Sequence, residues 1–189
     1  MINIIGGKFK RKKINVPNVC VRPTSAIKRQ AIFSIIESYA IKNSFDLYKE
    51  KCCIDFFSGS GALGLEAISR GMSFAYFFEH NNLVSETLLK NCNLICKKNE
   101  FNINNQDINY IKKIDINYPV SIIFIDPPYQ ITSFDPILKT ILKNKLLNNN
   151  SIIILESHKK NLFKIDSNFQ IIKEKIYGKT KIIFLKKLK

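Results

Sequence analysis

Apolar residues fall at two spacings along this chain, and the switch between them marks its elements. Across residues 24–42, Ala26, Ile27, Ala31, Ile32, Ile35 and Ile36 recur at helical spacing. Thr24, just after Pro23, is the expected N-cap. Downstream, short apolar runs alternate with amphipathic segments. Residues 52–57, 74–79, 101–107, 121–126 and 151–156 read as strands. Residues 62–70, 83–97 and 134–147 read as helices, and a short helix follows Asp107. Two last strands, 168–176 and 180–187, flank Gly178 with no helix between them, so they are expected to be antiparallel. The runs IIFID and IIILE are apolar on successive residues, as strands covered on both faces must be.

This alternation predicts an α/β architecture with a mostly parallel sheet. One domain is expected over residues 1–189, with a basic extension at 1–23 and a core at 24–189. In the extension, Ile2 to Ile5 and Lys13 to Val16 read as a hairpin turning at Gly6-Gly7. Such an arm, carrying Lys8, Lys10, Arg11, Lys12 and Lys13, is expected to be mobile when free and ordered by phosphate.

Charge narrows the partners. Thirty basic residues against fifteen acidic give a formal charge of +15, a field that attracts polyanions. A compositional bias towards lysine explains many of the lysines but not the shortage of acids. The five cysteines, Cys20, Cys52, Cys53, Cys92 and Cys96, form no CxxC pair, and the chain has two histidines, so no metal site is expected. Free thiols suit a reducing cytoplasm. No stretch approaches the roughly 20 apolar residues that cross a bilayer, so no membrane association is expected.

The segment from Asp55 to Gly64, DFFSGSGALG, joins a strand to a helix. Gly59 and Gly61 allow a tight turn and close approach of a ligand, and Gly64 lets the helix lie near the sheet. The letters also satisfy the dinucleotide fingerprint, with Glu79 where a ribose-binding acid belongs. Asp55 argues against a nicotinamide oxidoreductase. An anion at that strand end repels a pyrophosphate but suits the cationic methionine part of S-adenosylmethionine. Glu79 is placed to accept ribose hydroxyl protons, and Asp107, ending the third strand, to accept the adenine amino group.

The strand IIFID runs into Pro127-Pro128-Tyr129. Two prolines end the ladder and stiffen the loop. An exocyclic amine on a base is a weak nucleophile, because its lone pair is delocalised into the ring. Asp126 and the Pro127 carbonyl can accept its two N–H groups and favour a tetrahedral nitrogen. Tyr129 can stack on a flipped-out base.

Along nearly its whole length the chain resembles the bacterial 16S ribosomal RNA guanine-N2 methyltransferases. The resemblance rests on DFFSGSGALGLEAISRG, FIDPPY, IIGGKFKRKKI and RPTSAIKRQAIFSII. It implies a class I, Rossmann-like S-adenosylmethionine-dependent methyltransferase with a seven-stranded sheet whose last strand is antiparallel. It also implies methylation of one guanine in 16S ribosomal RNA within an assembling small subunit; a monomer is expected. Cofactor contacts are implied for Asp55, Phe56, Ser58, Gly59, Ser60, Gly61, Glu79 and Asp107. Chemistry is implied for Asp126, Pro127, Pro128 and Tyr129. RNA contacts are expected from Lys8, Lys10, Arg11, Arg22, Thr24, Lys28 and Arg29. An N6-adenine methyltransferase of RNA or DNA shares the same acceptor geometry, and a non-enzymatic RNA-binding assembly module is the alternative of another class.

Overall fold

Strands that are apolar at every position need cover on both faces, and the fold supplies it. The computed structural model describes residues 1–17, 24–111, 113–128, 131 and 133–188. Its central strands are β3 (Cys52–Asp55), β4 (Phe74–Phe78), β5 (Phe101–Asn104), β6 (Val120–Ile125), β7 (Ile152–His158), β8 (Phe169–Tyr177) and β9 (Thr180–Lys187). They form one seven-stranded sheet in the order β5-β4-β3-β6-β7-β9-β8. The pairs from β5 through β7 are parallel, whereas β9 runs antiparallel to both β7 and β8.

Successive residues of a strand enter opposite layers. Phe124 packs on one side with Cys53, Phe77 and Ile154, and Ile123 and Ile125 pack on the other with Ile54 and Leu155. Three helices cover the first side: α1 (Ala26–Lys42), α2 (Ala62–Ser69) and α3 (Asn82–Ile95). They contribute Ile32, Phe33, Leu65, Ile68, Leu88 and Cys92. On the second side lie α4 (Asp135–Lys143) and a 3-10 turn (Ile108–Tyr110), through Ile137, Leu138, Ile141 and Ile108. No helix among the described residues is long and apolar enough to cross a membrane.

Two of the boundary differences from the sequence reading bear on the site. The N-cap of α1 is Ser25, whose hydroxyl accepts from Lys28 N at 3.3 Å, not Thr24. The Thr24 hydroxyl is engaged elsewhere, as described below. The third strand stops at Asn104, so Asp107 lies three residues past it, at the start of the 3-10 turn. There its carbonyl accepts from Tyr110 N at 3.0 Å.

The larger correction concerns the arm. Strands β1 (Ile2–Asn3) and β2 (Lys13–Ile14) pair antiparallel as expected, but the hairpin is docked on the core. Ile4 and Ile14 are buried in the first core layer. Polar contacts fix the rest. Ile5 N donates to the buried Glu66 carboxylate at 2.8 Å, and Lys8 N to Ser69 O at 2.7 Å. Asn15 exchanges two hydrogen bonds with the buried Asn91 side chain, at 2.8 and 2.9 Å. Gly7, at φ +70°, lies against the Ser69 carbonyl, where a Cβ has no room. The two glycines are therefore a docking surface for the end of α2 as much as a turn. The expected mobility assumed that the arm had nothing but phosphate to order it. Burying one isoleucine side chain already contributes about 1.5–3 kcal/mol.

Deleting residues 1–13 should accordingly lower the thermal midpoint by at least about 5 °C, because Ile4 and the partners of Glu66 and Ser69 leave together. A scanning-calorimetry midpoint equal to that of the full chain would show that the hairpin is not part of the core.

Candidate active site at the carboxyl edge of the sheet

Parallel strands all end on one edge of the sheet, and in this chain three neighbouring ones end in or just before an acid. Asp55 is the last residue of β3 and pairs in register with Phe77 of β4 and Phe124 of β6. Glu79 and Asp126 each follow two residues beyond those partners. All three carboxylates therefore project from neighbouring strands past the same edge, where open α/β sheets bind ligands.

The glycine loop lies between them. Gly61 takes φ +81°, and a Cβ there would meet Leu88 Cδ1 at 2.6 Å, so the turn into α2 is closed to other residues. At Gly64 a Cβ would strike the Phe77 ring, which bears out the expected close approach of helix to sheet. Glu79 accepts from Gly59 N at 3.0 Å through one oxygen and from Asn81 N at 2.9 Å through the other. Ser58 Oγ donates to Asp55 O at 2.8 Å and accepts from Phe78 N at 3.0 Å. It staples the ends of β3 and β4 and so shapes the loop from within.

The other predicted cofactor residues divide. The Phe56 ring turns into the second core layer against Phe78, with centroids 5.2 Å apart, so only its backbone borders the loop. Ser60 is buried, and its carbonyl accepts from Asn91 Nδ2 at 2.9 Å. Asp107 is half-buried at the same edge, beyond β5.

Burial and the neighbouring Asp126 carboxylate push the Asp55 carboxyl up to about 8, with Glu79 adding to the effect. Asp126 is raised too, by burial, against the pull of the Thr24 hydroxyl and the Lys28 ammonium. Thr24 Oγ1 donates to Asp126 Oδ2 at 2.7 Å. Asp126 Oδ1 is not part of that bond. Pro127 is buried and Pro128 exposed, and Ile131 N donates to Pro128 O at 2.9 Å, which closes the loop after the strand.

The residues expected to meet RNA from α1 do not face outward. Arg29 is 2% exposed. Its guanidinium donates to Thr24 O at 2.7 Å and to Asn3 O at 2.6 Å, and so ties the hairpin to the residue that holds Asp126. Lys28 is paired with Glu156, which is buried in β7. Ile125 pairs with Leu155, so Glu156 stands level with Asp126 on the next strand. Sequence reasoning missed Glu156, although IIILE ends in an acid just as IIFID does. Lys8, Lys10 and Arg11 lie on the hairpin, away from these groups. Arg22 and Tyr129 lie outside the described residues.

The donor set fits S-adenosylmethionine and not a dinucleotide. Carboxylates gathered under a glycine loop offer a place for positive charge, whereas a pyrophosphate there would meet Asp55.

Comparison with known proteins agrees. The family model described as conserved hypothetical protein 95 matches residues 2–186. A ribosomal RNA small subunit methyltransferase D of Buchnera aphidicola is 36% identical, over 93% of this chain and 87% of its own length. The protein of that name in Escherichia coli K12 is 30% identical over 94% and 85%. Among solved structures, a putative methyltransferase from Escherichia coli superposes with TM-score 0.81 at 27% identity, over 98% and 97% of the two chains. Strand order, antiparallel β9, glycine loop and acid-lined edge define a class I methyltransferase. Within that class, the chain belongs to the ribosomal RNA small subunit methyltransferase D family, matched by conserved hypothetical protein 95.

The raised Asp55 carboxyl has a consequence for stability. Its ordinary value is 3.8, so the folded state binds more protons than the unfolded chain between about pH 4 and pH 8. Its contribution is therefore fully present below about pH 4 and is lost as pH rises towards 8. Asp55→Asn should stabilise the ligand-free protein at pH 8.5 and flatten that slope, as read by urea unfolding at pH 6 and 8.5. A less stable variant at pH 8.5 would contradict the assignment.

Proposed function

We propose that this protein transfers a methyl group from S-adenosylmethionine to the exocyclic N2 amine of a guanine in 16S ribosomal RNA, within an assembling small subunit. It does so as a single cytoplasmic domain. The names of its relatives supply the RNA, and the chemistry of the acid-lined edge supports the rest. The observation that carries the reading is the Asp126 carboxylate, with one oxygen held by Thr24 at the mouth of the glycine-loop site.

S-adenosylmethionine supplies an electrophilic methyl group when bound. Asp55 and Glu79 hold it, with Asp55 ionised by the positive charge it then faces. Asp107 is assigned the adenine amino group. Asp126 Oδ1 and the Pro127 carbonyl accept the two N–H groups of the target amine. That turns the nitrogen lone pair outward, and Asp126 takes the proton that the nitrogen sheds. Its raised affinity for a proton suits that task. Tyr129 is assigned the stacking of the flipped base, worth about 1–3 kcal/mol. Thr24 does not bind RNA in this reading. It is a positioning residue that fixes which Asp126 oxygen is presented.

The deciding experiment is transfer of labelled methyl to ribosomal RNA, followed by digestion to nucleosides. N2-methylguanosine is the expected product, and N6-methyladenosine would assign the site to adenine. Asp126→Ala should lower turnover at least about a hundredfold, or 2.7 kcal/mol, with little change in cofactor affinity. A loss below tenfold would remove the carboxylate from the chemistry.

Thr24→Val, which keeps the shape and removes the donor, should lower turnover about tenfold. It should also move the acidic limb of the pH–rate profile upward, because the hydroxyl helps hold Asp126 ionised. An unshifted limb would leave Thr24 a merely structural role.

A further inference from the structure

We propose that the phosphates flanking the target nucleotide dock on Lys159, Lys160 and Lys179, at the β7–β8–β9 end of the catalytic edge, and not on the tip of the N-terminal hairpin. This rests on the proposed RNA substrate and adds where that RNA lies.

The argument starts from the ends of the helices. Helices α2 and α3 each begin at the catalytic edge, after the glycine loop and after Glu79, and run back towards the opposite edge. Their lengths of 8 and 14 residues correspond to about 12 and 21 Å. The hairpin docks at their far ends: Lys8 N on Ser69 O, and Lys12 Nζ on Leu94 O at 2.5 Å. Its basic tip therefore lies away from Asp126. Lys12 is also engaged with a helix C-terminus, where a cation is favourable without any RNA. Lys28 is paired, and Arg29 is inside.

At the catalytic edge itself, charge is divided. The β5–β4–β3 side carries Asp107, Glu79 and Asp55, which repel phosphate. Across Asp126 and Glu156 the sign reverses. Strand β7 runs on to His158 and turns through Lys159 and Lys160. His158 pairs with Thr180, so the β8–β9 turn at Gly178-Lys179 reaches the same edge. Lys159 N donates to Lys179 O at 2.8 Å, which fuses the two turns into one surface. All three lysines are exposed. After Glu156 the chain carries ten lysines and two acids, Asp166 and Glu174. Lys173 and Lys175 lie on the edge strand β8, where lysine blocks pairing with other sheets, so their presence needs no ligand. That reason does not reach Lys159, Lys160 or Lys179, which lie in turns.

A base flipped towards Asp126 leaves its neighbouring phosphates at the mouth of the site. Among the described residues, this is the face of that mouth that is both exposed and basic. A strand entering over Glu156 and the two turns keeps its phosphates clear of the cofactor-side carboxylates.

The test compares Lys159→Ala/Lys160→Ala/Lys179→Ala with Lys8→Ala/Lys10→Ala/Arg11→Ala, by filter binding to 16S ribosomal RNA over a salt series. Thermal midpoint and S-adenosylhomocysteine affinity serve as controls for the fold. The turn variant should bind at least about tenfold more weakly. Its slope of log affinity against log salt should fall by about 2, near 0.7 for each lost single-strand contact. Its KM for RNA should rise with kcat little changed, and the hairpin variant should lose less on every count. Equal affinity and slope for wild type and turn variant, or a larger loss in the hairpin variant, would overturn this placement alone. A wild type that neither binds nor methylates 16S ribosomal RNA, free or within small-subunit assembly intermediates, would remove the proposed function, and this inference with it.

Discussion

Three carboxylates at the ends of adjacent parallel strands repel one another, and much of the local structure exists to hold them there. A sheet covered on both faces leaves only its strand ends for polar chemistry, so the acids of β3, β4 and β6 must share one edge. Burial and mutual repulsion at Asp55 work against folding. The surroundings supply compensation of three kinds. Backbone N–H groups of Gly59 and Asn81 cap Glu79. The Thr24 hydroxyl caps Asp126, and Lys28 adds positive charge beside it. The remaining imbalance suits a cationic ligand.

The segment before α1 is the second half of that arrangement. Thr24 can hold Asp126 only if its own backbone is fixed. Arg29 fixes it, reaching from inside the first core layer to the Thr24 and Asn3 carbonyls. Burial disfavours the charge on Arg29, and its attraction to the buried Glu66 works the other way. Glu66 in turn accepts from Ile5 N and Arg70 Nε. One buried network thus runs from the hairpin through α1 and α2 to Asp126. The N-terminal extension belongs to the site's support. Breaking such a network at one charged member is costly, because the partner is left buried and unpaired.

The architecture was legible because period and punctuation agreed. Unbroken apolar runs marked central strands, Gly71 and Gly178 marked turns, and a missing helix marked the antiparallel end. The glycine loop and the Asp-Pro-Pro run read as strand exits, and the fold brings them to one edge of the sheet. What was not legible was which polar residue satisfies which. Thr24 read as a helix cap because a hydroxyl before a helix usually is one, but Ser25 was equally able to cap and freed Thr24 for Asp126. Arg29 read as a phosphate ligand, because nothing local tells a buried guanidinium from an exposed one. Glu66 and Asn91 gave no signal at all, since their partners, Ile5 and Asn15, are 61 and 76 residues away in sequence.

Net charge illustrates the same limit more sharply. A value of +15 argues for a polyanionic partner but has no position. The fold sorts the cations by what they already touch. Arg29 and Arg70 are spent on internal acids and carbonyls, Lys28 on Glu156, and Lys12 on the end of α3. A cation satisfied inside the protein gains little by turning to a phosphate, because it must first give up a partner. An exposed lysine in a turn gives up only water and a loosely held counterion, which the released salt more than offsets. Under the proposed docking, affinity for RNA follows the placement of the unsatisfied lysines and not their number. In this fold the carboxyl edge of the sheet is acid-lined at the glycine loop and lysine-lined where two turns meet beyond β7.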